Sequence, residues 1–107
     1  METTNSPAEY YIPNVILQQL GGQARLNAFL GVSNLFLSEY SLGFRFKAKG
    51  AKGINLVTVR LDPSDTYTVL FHRVNKNGAK LVQEFNDVYC DDLVECVEQT
   101  TGLYLHF

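Results

Sequence analysis

"LGFRFKAKGAKGINLVTVR", residues 42–60, decides the architecture. In its first half Leu42, Phe44, Phe46 and Ala48 alternate with Gly43, Arg45, Lys47 and Lys49, the period of two that marks a half-buried strand. "KGAKG" turns the chain. Residues 54–61 resume the alternation, with Val57, Val59 and Leu61 on one face and Thr58 and Arg60 on the other.

Downstream, "DPSD" places proline at its favoured turn position. Residues 66–74 then read as a strand with Tyr67, Val69 and Phe71 inward and Thr66, Thr68 and His72 outward. Asn77-Gly78 is a strong hairpin signal. It predicts a return strand over 80–85, with Leu81 and Phe85 inward and Lys80, Val82 and Glu84 outward. Upstream, "NLFLSE" (34–39) reads as the first strand.

Helices flank these strands. Asn14 is the expected N-cap of a short helix, "VILQQL", stopped by Gly21-Gly22. "QARLNAFL" (23–30) resumes a helical pattern with Leu26, Phe29 and Leu30 at spacings of three and four. The double glycine is either a cap followed by a new helix or a hinge in one bent helix. It lacks the preceding strand of a phosphate loop. At the far end, Asn86 or Asp87 is the expected cap of a closing helix. Cys90, Leu93, Val94 and Val97 would form its apolar stripe, and Gly102 its stop. "LYLHF" should add an edge strand or tuck over the core.

The expectation is an α+β fold: an antiparallel sheet of four to five strands with N- and C-terminal helices packed on one face. Residues 1–12 read as a flexible tail and 13–107 as a single domain. At 107 residues, 46% hydrophobic and 19% charged, the chain can bury a core without disulfides or metal. No apolar run approaches the roughly 18 residues that span a bilayer, and "METTNSPAEYY" lacks a secretory start. Cys90 and Cys96, six apart on the expected helix, point away from each other and read as small buried residues. These features predict a cytoplasmic protein without membrane contact.

Net charge is −2, unevenly spread. Residues 40–80 hold eight of the nine basic residues, opposed only by Asp62 and Asp65. The last quarter holds Glu84, Asp87, Asp91, Asp92, Glu95 and Glu98 without a base. Such a distribution makes the molecule dipolar. On the expected sheet, Arg45, Lys47, Arg60, His72 and Lys80 share the solvent face with Thr58 and Thr68. This is a candidate nucleic-acid or partner surface, with an acidic helix behind it. A base-stacking platform needs outward rings, whereas Phe44, Phe46, Tyr67, Phe71 and Phe85 read as inward. Backbone-only binding would be weakened by salt. Asp91, Asp92, Glu95 and Glu98 are the second candidate surface, able to occupy a groove built for phosphates.

No catalytic constellation stands out. There is no nucleophile elbow, CxxC, HExxH or Walker loop. His72, His106, Cys90 and Cys96 lack finger or knuckle spacing. Asp91 and Asp92 are adjacent and do not share a helix face. No enzyme, cofactor or metal is expected.

"ILQQLGG", "NLFLSEYSLGFRFKAKGAKGINLVTVRLDPSDTYTVLF" and "EFNDVYCDDLVECVEQTTGLYLHF" resemble a family of small, mostly uncharacterised proteins of bacteriophages and other mobile elements. Those share a leading Leu-Gly-Gly, an Ile-Asn-x-Val strand, an Asp-x-Tyr-x-Val strand and a closing Thr-Gly-Leu-Tyr. The resemblance covers most of residues 16–107 and departs at 23–30. It implies a stoichiometric binder of a host protein or nucleoprotein complex, similar to the anti-CRISPR inhibitors that occlude a site on their target. It carries over no site residues. The other reading is a nucleic-acid-binding accessory protein using the basic sheet face.

Overall fold

The computed structural model describes residues 11–105. Two helices, α1 (Tyr11–Gln19) and α2 (Gln23–Leu30), lead into β1 (Val32–Ser38) and β2 (Ser41–Phe46). A 3-10 turn (Ala51–Gly53) precedes β3 (Leu56–Leu61) and the long hairpin of β4 (Tyr67–Asn75) and β5 (Gly78–Val88). A second 3-10 turn (Cys90–Asp92) runs into α3 (Leu93–Thr101). All five strands form one antiparallel sheet in sequence order, β1-β2-β3-β4-β5. The expected α+β architecture is present.

One parity of the central strands supplies the core. Leu42, Phe44, Val57, Val59, Val69 and Phe71 are fully buried, and register aligns them as Leu42↔Val59↔Val69 and Phe44↔Val57↔Phe71. Ile16, Leu17 and Leu20 of the α1 segment, Leu26 and Leu30 of α2, and Leu93 and Val97 of α3 join the same core. These helix residues share one core with the inward residues of the strands. The Tyr67 hydroxyl donates to Gln19 Oε1 at 2.8 Å, tying α1 to β4.

Several boundaries differ from expectation. Asn14 lies inside α1, which is helical from the first described residue, Tyr11, so it is not the N-cap. The expected tail thus gives Tyr11 and Ile12 to α1, and residues 1–10 lie outside the described residues. Gly21 and Gly22 both take positive φ, 107° and 90°, so they separate two helices rather than bend one. The closing helix begins at Leu93, not at residue 87, because β5 continues to Val88 opposite Tyr67. Asp87 and Asp91 therefore precede the helix, and Cys90 is exposed rather than buried. Cys96 is half-buried, and burial pushes its thiol pKa up; both cysteines are free. No strand forms at Leu103–Leu105, where Leu105 tucks into the core.

The largest correction is in β5. Pairing runs Tyr67↔Val88, Val69↔Phe85, Phe71↔Gln83, then His72↔Leu81 and Arg73↔Lys80. Two steps on β4 match three on β5 near Asp87, and one matches two at Val82. Each bulge flips the phase of the residues beyond it. Leu81 consequently shares the outer face with His72, and Lys80 moves to the opposite face with Arg73. Phe85 keeps the inner face, edge-on to Phe71, but stays 38% exposed.

Candidate anion-binding end

Along the strands and their connections the charges segregate by end, not by face, although α3, with Glu95 and Glu98, packs against the 3-10 turn of the basic end. Register places the end of β2, the start of β3, the end of β4 and the start of β5 together. Arg45, Lys47, Lys49, Lys52, Arg73, Lys76 and Lys80 belong to that end. Neither segment that builds it, 43–59 or 70–83, contains a carboxylate. The opposite end of the sheet gathers Glu39, Asp62, Asp65, Asp87, Asp91 and Asp92 with Arg60 among them.

The outer face itself is not a continuous basic surface. Arg45, Leu56, His72 and Leu81 succeed one another across the strands, and Gly43, Thr58, Leu70 and Glu84 form the next row. Arg60 is spent on Asp62, with Nε 3.0 Å from Oδ1. Thr68 is buried and donates to Asp62 Oδ2 at 2.6 Å. These bonds, Thr68 first and Arg60 second, hold the Asp62 carboxyl below its ordinary pKa. His72 has a buried Nδ1 without a hydrogen-bond partner, which suits a packed ring between Leu56 and Leu81.

The rings behave largely as expected: Phe44 and Phe71 are fully buried. The outer face does carry one ring that alternation alone does not flag. Phe36 stands opposite Gly43 and is 53% exposed. A Cβ on Gly43 would lie 3.5 Å from Phe36 Cβ, so the ring covers the bare glycine backbone. One ring is not a stacking row.

At the basic end, Arg45, Lys47 and Lys49 line an open hollow of about 620 Å³ with Gly50, Gly53 and Asn55. Its frame is hydrogen-bonded. The Lys47 and Ala48 amides donate to Leu30 O at 3.2 and 3.0 Å, fastening the loop to the C-terminus of α2, the negative end of its dipole. The Asn55 amide nitrogen donates to Val74 O at 2.9 Å, and its oxygen accepts from Val74 N at 2.8 Å. This side chain continues the sheet where β3 has not yet begun. In the sequence Asn55 reads only as part of a strand, and its clamp has no local signature. Arg73 crosses the 3-10 turn so closely that a Cβ on Gly53 would sit 2.7 Å from its Cδ. The β2–β3 connection and the far end of β4 thus bring cations close together.

Of the acidic candidates, Asp91 and Asp92 are exposed at the opposite end and Glu95 is exposed on α3. Glu98 instead accepts the Leu105 amide at 2.6 Å, locking the C-terminal segment. Among the described residues no three His, Cys, Asp or Glu side chains gather to hold a metal ion; His106 lies outside them. No helix there is long and apolar enough to cross a membrane. No family model matches the chain, and neither a curated protein nor a solved structure matches it.

Proposed function

We propose that this chain is a small non-enzymatic protein that grips the phosphate backbone of a nucleic acid, free or within a nucleoprotein complex, through its basic end. The observation that carries the reading is the register Arg73↔Lys80 at the head of the β4–β5 hairpin. Like charges directly opposite each other destabilise a strand pair, and here they sit beside five further cations with no carboxylate in either segment. A polyanion offsets that repulsion. With Phe44 and Phe71 buried, the contact is to backbone rather than bases, so binding is indifferent to sequence.

Fluorescence anisotropy with labelled single- and double-stranded DNA and RNA over a salt series tests this. Dissociation constants of about 1–100 µM near physiological salt are expected, tightening as salt falls, with each neutralised duplex phosphate adding about 0.9 to the log–log slope. Lys47→Glu with Lys49→Glu should weaken binding at least about tenfold. Unchanged affinity in that variant, or no binding of the wild type at low salt, overturns the reading.

The exposed Asp91 and Asp92, at the end that also holds Glu39, Asp65 and Asp87, favour a second reading. In it, a phage-type inhibitor of host defence presents carboxylates to a phosphate-binding groove of its target and occludes it. Asp91→Lys with Asp92→Lys then abolishes target capture and leaves nucleic-acid affinity no weaker. Capture unchanged by that pair rules the second reading out.

A further inference from the structure

The two edges of the sheet are treated differently. β5 carries two bulges and the charges Lys80, Glu84 and Asp87, devices that keep an edge from recruiting another strand. β1, "VSNLFLS", has no charge and no proline, and its one bulge lies at its start, between Val32 and Asn34. Phe36 and Leu37 are 53% and 40% exposed. Among the described residues, the backbone of 32–38 bonds to β2 and to no other segment.

We propose that β1 pairs antiparallel with β1 of a second copy of this chain across a two-fold axis at Phe36, making a ten-stranded sheet. Leu35 then faces Leu37 of the partner subunit, and Asn34 faces Ser38 of the partner subunit. The two Phe36 rings meet on the outer face, and the exposed Leu37 is covered on the inner one. Charge selects this occupant. Val32 pairs with Phe46, at the basic end, whereas Ser38 adjoins Glu39, at the acidic end. Antiparallel self-pairing therefore sets the cations around Lys47 on the same end as Glu39 of the partner subunit, two strand spacings or about 10 Å apart along the backbone, twice by symmetry and on the scale of the Debye length. Only position 36 meets its own copy across the axis, and Phe36 brings no charge there.

Sedimentation equilibrium of the full chain over about 5–200 µM, bracketing a micromolar dissociation constant, is the test. The expected species has twice the 12.0 kDa chain mass. Phe36→Lys should weaken the dimer more than about tenfold by facing two ammonium groups, with circular dichroism confirming the fold. Phe36→Cys, in a chain with Cys90→Ser and Cys96→Ser, should form an intermolecular disulfide on mild oxidation. A monomer throughout the range, or a dimer that survives Phe36→Lys and yields no Phe36→Cys crosslink, overturns the proposal. A monomer that captures an extended peptide of a different protein along β1 also does so. Nucleic-acid binding is a separate readout, independent of this one.

Discussion

Thr68 sits at a strand position whose alternation says solvent, yet it is buried between Asp62 and Asn86. A hydroxyl carries one proton, which goes chiefly to the carboxylate at 2.6 Å; Asn86 Oδ1, at 3.1 Å, is the second and weaker acceptor for it. Because the folded-state pKa of Asp62 lies below its unfolded value, its contribution to stability is present above about pH 4. It fades as pH falls through the lower folded value. Thr68→Val removes the larger cause of that shift. In urea melts from pH 7 to pH 2.5, we expect the variant to be less stable at neutral pH by about 1–2 kcal/mol. The gap to wild type should narrow below about pH 4; a constant gap would show that the bond does not depend on the charge. The parity of Thr68 was legible in the sequence. The carboxylate six residues earlier that folds back over it was not, because a turn and not a period places it.

The elements were legible where strands are straight. In β2, β3 and β4 the apolar parity of Phe44, Val57 and Phe71 was enough to assign the inner face, since sheet neighbours on both sides hold the phase. β5 is an edge strand, free to bulge on its open side, and the extra residues there moved Leu81 and Lys80 across the sheet. Likewise "NDVYCDD" offered many caps for a helix, but Tyr67 keeps that stretch in the ladder as far as Val88, and the helix starts later. The β2–β3 connection is also decided by packing. Gly50 has an ordinary φ of −80°, but a Cβ there would lie 2.5 Å from Ile54 O. Gly50→Ala must therefore shift backbone. It should lower the urea midpoint at constant slope, by about 1–3 kcal/mol in stability, and reduce nucleic-acid affinity in parallel because the same loop carries Lys47, Lys49 and Lys52.

For the whole molecule, composition indicated a dipole but not its axis. The basic segment 40–80 was visible as a run, and alternation suggested one face of a sheet. Because consecutive strands reverse direction, however, loops far apart in sequence return to the same end, and the cations collect along the strand direction instead. Behaviour should track the local field rather than the sum. Although net charge is −2, we expect retention on heparin at pH 7 in about 50 mM salt, with release as screening shortens toward a few ångströms. Lys49→Glu with Lys52→Glu should flow through; retention of that variant would locate the interaction elsewhere.

The sheet's sequence-ordered layout also bears on how the molecule assembles. Each strand finds its neighbour through a short connection, so zipping up the hairpins requires little loop-closure entropy. What must travel far is α1: the Gln19–Tyr67 bond joins groups 48 residues apart. We therefore expect the ribbon of strands to form first with its apolar side still wet, and the docking of the helices, α1 above all, to be the later step.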